Sequence, residues 1–382
     1  MFDLLCKLCS ANVTVGSIGS NPLHWAELWQ LAQRHRVVPL VIKRIKQLDI
    51  PVPDDMAQHM AWHHQNNLYK GINQAAEVVR LTKLFQTHTI PFMLFKGIAL
   101  TKLMGLELHQ RHVGDMDLLL ASVNDLWRAD DLLQQLGYKR KLPPENMSLN
   151  TRQRQTLQFV RKDLIYFHPQ KQIMLELHFK LYINFNVFPL SLAELFQNRT
   201  YITLGQVRIP VMSRQDHLLY LLVHGSISHW FCLKWLCDIP AISDNGKHYM
   251  HPENFDRMKA LGLERMTSQG LYLANQLLGM PIHDEVRKYH RQNAVVPKLV
   301  RHAQKKLLAP AKSTVWLSPL KRLSLIMEDV CYCANLRTEW QYKVTELIKI
   351  HWLNRSDWEK LTLPAPLFFL HYLLRPFIFL FR

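Results

Sequence analysis

A short apolar segment that carries two acids constrains this chain more than any other feature. The stretch "GDMDLLLA" places Asp115 and Asp117 directly before three leucines. Because alternate side chains of a strand point to the same face, the two carboxylates are expected to lie side by side. Adjacent carboxylates repel each other, and burying them is costly unless a cation lies between them. The sequence leaves two cations open, the guanidinium of Arg111 or a bound metal ion.

The segments around this strand predict an α+β fold. A strand, "PFMLF", precedes Gly97, and "IALTKLMG" has the character of a short helix. The amphipathic segment "VNDLWRADDLLQQLGY" predicts a helix that stops at Gly137. Two hairpins are expected after it, one from "LIYFH" and "IMLELHF" and a smaller one from "YITL" and "VRIP".

Helical patterns occupy both ends of the chain. We predict an N-terminal helical region at 1–72, a small mixed-sheet core at 73–212 and a larger C-terminal helical region at 213–382. The last region opens with the capping pattern Ser213-Arg-Gln-Asp216, followed by the long helical segment "HLLYLLVHGSISHWFCLKWLCDIPAI". Lys234 and Asp238 lie one helical turn apart in it and form a candidate ion pair.

Three acids stand on predicted strands of the core: Asp115, Asp117 and Glu176. Mg²⁺ prefers oxygen ligands from one or two carboxylates together with phosphates and water. A pair of such ions, about 4 Å apart, activates an attacking oxygen and steadies a leaving group. His178 lies two residues after Glu176 and is expected on the same face. Each acid also has a purely structural explanation, because acidic residues commonly end strands, cap turns or lie at solvated sheet edges.

The order of these elements points to a known architecture: a glycine turn, a helix, an Asp-x-Asp strand, a helix, and a strand with a further acid. The run "LFKGIAL…RHVGDMDLLL…LLQQLGY…LELHFKL" resembles an uncharacterised bacterial nucleotidyltransferase family of the polymerase-β-type superfamily. The segment "LLVHGSISHWFCLKWLCDI" and the tail "LPAPLFFLHYLLRPFIFL" are similar to later parts of that family. The resemblance covers most of the chain from about Phe92 onward.

The resemblance implies roles for six residues. Asp115 and Asp117 match the metal ligands, with Glu176 as the third acid of a two-metal Mg²⁺ site. The remaining three match a nucleotide-facing turn and the family arginine: Lys96, Gly97 and Arg111.

One departure from the wider superfamily concerns the turn. The glycine there is followed by glycine or serine, whereas Gly97 is followed by Ile98, which has no hydroxyl to offer a phosphate. We therefore expect the ammonium group of Lys96 to make the phosphate contact, with Arg111 neutralising the triphosphate and His178 close to the nucleotide.

The resemblance implies a Mg²⁺-dependent nucleotidyltransferase. It would move a nucleoside monophosphate from an NTP, ATP included, to a hydroxyl acceptor and release pyrophosphate. Asp115, Asp117 and Glu176 are the predicted catalytic residues, and Glu176 would also orient or deprotonate the acceptor. A small molecule or sugar, a protein hydroxyl and an RNA end are all compatible acceptors.

The net charge of +17 supports an alternative of another class. Residues 287–322 hold ten lysines and arginines and no acid, and such a field attracts polyanions. The alternative is therefore a non-catalytic module that binds nucleic acid or an anionic membrane surface. Solvated helix faces would account for the same charges.

Other features carry expectations without a reaction. The start of the chain has no signal-peptide pattern, so a cytoplasmic location is expected. Six cysteines fit buried thiols better than zinc ligands or a disulfide framework. His224 and His229 lie five residues apart, which turns them to different sides of a helix and disfavours a zinc pair. The apolar tail at 364–382 is expected to pack or to touch a membrane, without spanning it.

Overall fold

The computed structural model describes residues 1–14, 24–141, 151–243, 252–310 and 319–348, with the single residues 16, 149, 370, 373 and 374. The chain groups into two compact units, each assembled from three segments. The segments of the helical unit are Met1–Ala76, Lys96–Val113 and Ser213–Ser313. Those of the sheet unit are Glu77–Phe95, Gly114–Met212 and Thr314–Arg382. The division into regions 1–72, 73–212 and 213–382 stays a prediction.

The sheet unit contains one mixed sheet of seven strands. The strands are β1 (Phe92–Leu94), β2 (Met116–Leu120), β3 (Lys139–Arg140), β4 (Asp163–His168), β5 (Ile173–His178), β6 (Thr200–Leu204) and β7 (Val207–Val211). Their order in the sheet is β3-β4-β5-β2-β1-β7-β6. β2 is parallel to β5 and antiparallel to β1, and β1 is parallel to β7. The hairpins β4–β5 and β6–β7 are antiparallel, as the two predicted hairpins require.

Sixteen helices lie in the described part of the chain. They are α1 (Phe2–Cys9), α2 (Trp25–Arg34), α3 (Val38–Gln47), α4 (Asp54–Thr87), α5 (Gly97–Leu103), α6 (Leu126–Gln135), α7 (Thr151–Val160), α8 (Leu192–Gln197), α9 (Arg214–Ile227), α10 (Leu233–Ile242), α11 (Pro252–Ala260), α12 (Glu264–Leu278), α13 (Asp284–Gln292), α14 (Val296–Leu308), α15 (Pro319–Ala334) and α16 (Trp340–Ile348). The mixed sheet and these helices confirm the predicted α+β class.

β2 forms the centre of the sheet because its sequence tolerates burial on both faces. All five of its residues, Met116–Leu120, are buried. Its neighbours supply apolar partners in register: Leu118 faces Leu94 of β1 on one side and Leu177 of β5 on the other. The only charged side chain of β2 is Asp117, which is therefore held at a fixed position in the middle of the sheet.

The predicted long helical segment after Ser213 is two helices, α9 and α10. The Ser213 hydroxyl accepts a hydrogen bond from the Asp216 backbone N–H at 3.1 Å and starts α9. The break follows from Trp230, whose indole is fully buried. A Cβ at Gly225 would lie 2.3 Å from that indole, so the ring fills the space that the glycine leaves. Seating it requires positive φ angles of 56° at His229 and 53° at Trp230, which end the helix.

Several predictions concern segments that are only partly described. In the basic stretch 287–322, residues 311–318 lie outside the described residues, as does most of the tail at 364–382. None of the described helices is both long enough and apolar enough to cross a membrane. Cys6, Cys232 and Cys237 are buried free thiols.

Candidate functional site

The parallel pairing of β2 with β5 brings two of the predicted acids together. Asp117 stands directly opposite Glu176 in the register of the two strands. Residues opposite each other in neighbouring strands have their side chains on the same face of the sheet. The carboxylates of Asp117 and Glu176 are therefore neighbours, although the two residues lie 59 positions apart in the chain.

The imidazole of His178 lies between these two carboxylates. Its Nε2 atom is 3.2 Å from Oδ1 of Asp117 and 3.1 Å from Oε2 of Glu176. Because ionised carboxylates only accept hydrogen bonds, Nε2 carries the hydrogen in this arrangement and donates to both acids. The ring is fully buried, and its edge meets the Phe95 ring at a centroid distance of 4.8 Å. Packing therefore holds His178 in place against the acids.

A third acid, Asp163, flanks the other side of the same imidazole. Asp163 is opposite His178 in the β4–β5 register, and its Oδ2 lies 4.0 Å from Nδ1 of the ring. Nδ1 is buried without a hydrogen-bond partner among the described residues. Burial alone would raise the pKa of Asp163, but Lys162, His178 and Arg161 outweigh it and lower that pKa. Asp163 is therefore held as an anion beside His178.

Asp117, Glu176 and His178 form a group that fits a divalent cation. Each offers one ligand atom, and all three atoms lie within 4.8 Å of one another. Two carboxylate oxygens with one imidazole nitrogen suit Mn²⁺ and Zn²⁺ as well as Mg²⁺, since nitrogen donors are accepted more readily by the first two. Asp117 is buried, whereas the side chain of Glu176 is 20% exposed and so opens to solvent.

Asp115 stands apart from this group. It is exposed, and it precedes β2 instead of belonging to it. It is not a member of the three-residue group, although its position two residues before Asp117 lets it share that face by alternation. Its assignment as a metal ligand stays a prediction.

The predicted phosphate turn contains two successive residues with positive φ. Lys96 has a φ of 59° and Gly97 a φ of 41°, just where β1 has ended and α5 begins. The backbone N–H of Lys96 donates to Nε2 of His217 at 3.0 Å. The Lys96 ammonium lies 5.4 Å from the centre of the Tyr220 ring, in cation–π range. This turn is part of the helical unit and is shaped by α9.

Arg111 makes a buried, bidentate ion pair with Asp238 on α10. Nε and Nη2 donate to the two carboxylate oxygens, each at 2.8 Å. Nη1 donates to the carbonyl oxygen of Gly97 at 3.3 Å, so the guanidinium also braces the turn. The sequence offered Lys234 as a partner for Asp238 and, as a structural alternative, Asp115 as a partner for Arg111. In the structure Arg111 pairs with Asp238 instead. Local patterns do not reveal this pair, because the two residues are 127 positions apart in the chain.

Lys234 lies beside this ion pair in a strongly basic setting. Burial, and then the charge of Arg111, lower the pKa of its ammonium to about 7, although Asp238 opposes the shift. Its Nζ donates to the carbonyl oxygen of His112 at 3.4 Å. The pKa of His112 itself is lowered to about 3 by burial and by the charge of Lys234.

The low pKa of Lys234 predicts a stability that rises with pH. Between pH 7 and about 10.5 the unfolded chain binds more protons than the folded one, so the free energy of unfolding increases across this range. Replacing Lys234 with methionine should remove that increment. Urea denaturation at pH 7 and 9.5 would measure it. Lys288→Met, which removes an exposed ammonium, is the control and should keep the wild-type slope. Equal slopes in all three proteins would contradict the prediction.

Sequence reasoning missed Asp163 beside His178 and His217 beside Lys96, and it named Asp238 only as a candidate partner of Lys234. Asp163 begins a strand and resembles an ordinary turn acid, and only the β4–β5 register shows its place. His217 and Asp238 lie on helices, where nothing local distinguishes them from other polar residues. The signal for Asp238 was its position in the segment "WLCD", which the family resemblance already covered.

Comparison with known proteins identifies one family. The profile of a family described as "Uncharacterised nucleotidyltransferase" matches residues 21–279 of the chain. The match spans the glycine turn, the Asp-x-Asp strand, β5 and both helices that carry His217 and Asp238. No curated protein matches the chain.

Proposed function

This chain belongs to the uncharacterised nucleotidyltransferase family, and from that membership we propose a specific reaction for it. An acceptor hydroxyl attacks the α-phosphorus of an NTP, a new P–O bond forms, the bond to the β-phosphate oxygen breaks, and pyrophosphate leaves. The hydroxyl proton passes to a carboxylate or to water. Magnesium is the proposed cation, with ATP among the donors.

One observation supports this reaction more than any other. Asp117, Glu176 and His178 are brought within ligand distance of one another by the register of β2 and β5. A polar group of this kind in the middle of an apolar sheet is costly without a cation to balance it. Two adjacent carboxylates do not help a strand to pack, whereas phosphoryl transfer requires a cation that such carboxylates can bind.

A divalent cation bound here would draw charge from the triphosphate and lower the pKa of the attacking hydroxyl. Asp117, Glu176 and the imidazole of His178 are the residues that would hold it. His178 can do so only as the Nδ1–H tautomer, because its Nε2 must then offer a lone pair. Asp163 lies 4.0 Å from Nδ1, which is beyond hydrogen-bond distance, so only its negative charge favours a hydrogen on that nitrogen.

Glu176 is the better candidate for the proton acceptor. It is more exposed than Asp117, so an acceptor hydroxyl reaches it more easily. Asp117 is fixed by β2 and suits a permanent ligand. Asp115, on the same face by alternation, would complete the set of three acids and hold a second cation.

Lys96 is our proposed phosphate contact, and Arg111 the residue that positions the turn. Nε and Nη2 of Arg111 donate to Asp238 and Nη1 donates to the Gly97 carbonyl, so every nitrogen of the guanidinium already makes a hydrogen bond within the protein. The backbone N–H of Lys96 donates to His217, and we assign its ammonium group, which lies over the Tyr220 ring, to a β- or γ-phosphate.

We expect Lys96→Ala to weaken the binding of Mg·NTP about ten- to a hundredfold. A charge-assisted hydrogen bond contributes about 1.5–3 kcal/mol, which corresponds to this range. Calorimetric titration of NTP into both proteins would measure it, and thermal denaturation without ligand should change little. Equal affinities would mean that phosphate binds elsewhere, and early unfolding would make the lysine structural.

Incubation with each labelled NTP, Mg²⁺ and a cell extract would test the reaction itself. A labelled acceptor that depends on Mg²⁺ and on the acids would support it. The basic stretch 287–322 is the part of the chain that would carry the alternative function, the binding of nucleic acid or an anionic membrane surface. That alternative would be favoured if the wild-type protein showed no transfer and if salt-sensitive binding of RNA or anionic vesicles were unchanged in Asp117→Asn.

A further inference from the structure

We propose that a cavity in the sheet unit is the acceptor site. It would bind an uncharged sugar in the form of a glycoside, and a hydroxyl group of that sugar would be the acceptor. This inference rests on the nucleotidyl transfer proposed above. The cavity has a volume of about 700 Å³, a size typical of small-molecule sites and too small for a folded protein acceptor. Its walls are the segment 180–192, which follows β5, and residues around the start of α16.

The cavity begins close to the acids along the chain. Lys180 lines it, two residues after His178 and four after Glu176. Four residues of fully extended chain span at most about 14 Å, so the near wall lies within that distance of the Glu176 backbone. The wall of the cavity therefore continues directly from the strand that carries Glu176 and His178, which is why we assign the acceptor to it.

Hydrogen bonds hold the walls in place before any ligand arrives. The Asn184 amide donates to Oε1 of Glu346 on α16 at 2.8 Å. Nη1 of Arg337 donates to the carbonyl oxygen of Val187 at 3.2 Å. Both bonds join positions at least 150 residues apart in the chain. A preformed site loses little conformational entropy when it binds.

The charges of the walls are already committed, which argues for a neutral ligand. Arg337 gives Nε and Nη2 to Glu339, at 3.0 and 2.7 Å. Glu339 is the only acid among the lining residues that the structure describes. Lys180 gives its ammonium to the carbonyl oxygen of Gln158 at 2.6 Å. A polycationic aminoglycoside would find no uncommitted carboxylate here, and a phosphate would find no uncommitted guanidinium.

Aromatic rings and an amide supply the recognition instead. Phe185 lines the cavity with 80% of its surface exposed, and Tyr182 and Phe188 are further aromatic lining residues. The faces of such rings carry partial negative charge and attract the polarised C–H groups of a pyranose ring. The exposed amide of Gln341 can both donate to and accept from sugar hydroxyls. This combination suits a sugar ring that has one apolar face and a polar rim.

Titration by saturation-transfer NMR, without NTP or metal, would test the site. The probes are methyl α-glucopyranoside, methyl α-mannopyranoside and methyl α-galactopyranoside, with glucose 6-phosphate and tobramycin as charged comparisons. At least one neutral glycoside should bind, and Phe185→Ala should weaken it about tenfold. Because Phe185 is exposed, its removal should leave the fold intact. The matched control is Phe159→Ala, which removes a 64% exposed ring outside the cavity and should bind as the wild type.

Failure of all three neutral glycosides to bind would overturn the proposal. So would tighter binding of tobramycin or glucose 6-phosphate, or a Phe185→Ala protein with unchanged affinity. The Asp117→Asn variant should bind the glycoside normally, since it acts on the cation and not on the cavity. If a glycoside bound in a Phe185-dependent manner but the protein showed no transfer activity, the proposed reaction would be refuted. The cavity would still be a sugar-binding site.

Discussion

Replacing Asp117 with asparagine is expected to lower nucleotidyl transfer by a factor on the order of a thousand. The change keeps the volume of the side chain and leaves an oxygen that can still accept from His178. It removes one of the two charges that would hold the cation, and electrostatic contributions of this kind to catalysis amount to about 10²–10³ each. Transfer of label from NTP to the acceptor would measure the loss.

Cation binding gives this prediction a second readout. Calorimetric titration of Mn²⁺ should show a site in the wild-type protein that is lost in Asp117→Asn. The control is Asp131→Asn, which removes an exposed acid from α6 and should keep both properties. Turnover by Asp117→Asn at the wild-type rate would rule out the metal mechanism, and unaltered Mn²⁺ binding would move the cation away from β2.

Replacing Arg111 with alanine is expected to lower the free energy of unfolding by about 3–5 kcal/mol. The reason is that Asp238 would remain buried as an uncompensated charge, and the brace on the Gly97 carbonyl would be lost. Urea denaturation would measure the change. A double variant, Arg111→Met with Asp238→Leu, should recover much of the loss, because it removes both charges together.

Arg128→Ala provides the comparison for that experiment. Arg128 also forms an ion pair, with Asp125, but its side chain is 53% exposed. Exposed pairs contribute about 0–1 kcal/mol, so this variant should be nearly as stable as the wild type. If Arg111→Ala were no less stable than Arg128→Ala but bound NTP far more weakly, Arg111 would be a phosphate ligand and not a positioning residue.

The strands were the most predictable part of this fold. "MDLLL" and "IMLELH" became β2 and β5 because short, continuous apolar runs that contain β-branched or leucine residues suit the inside of a sheet. The two hairpins followed from their turn residues. β3 was missed, since Lys139 and Arg140 carry no apolar alternation and pair with β4 only because that strand is already in place.

The candidate site divides in the same way. Alternation on a strand placed Glu176 and His178 on one face, and the Asp-x-Asp pattern indicated a cation, both from local rules. Local rules do not give a register. The pairing of Asp117 with Glu176, and of His178 with Asp163, depends on how β2, β4 and β5 align.

The sequence by itself determined the α+β class, most strands, the family, and the residue types that suit a cation. Only the tertiary structure decided which of those residues meet. Tertiary packing brings Asp117 and Glu176 into contact with His178 and places Asp163 beside the same imidazole. It also pairs Arg111 with Asp238, although 127 positions separate these two residues. The physical reason is that hydrophobic periodicity depends only on the helix or strand to which a residue belongs. The partner of a buried side chain depends instead on which other elements pack against it. A buried charge is stable only against whichever opposite charge the packing of other elements brings to it.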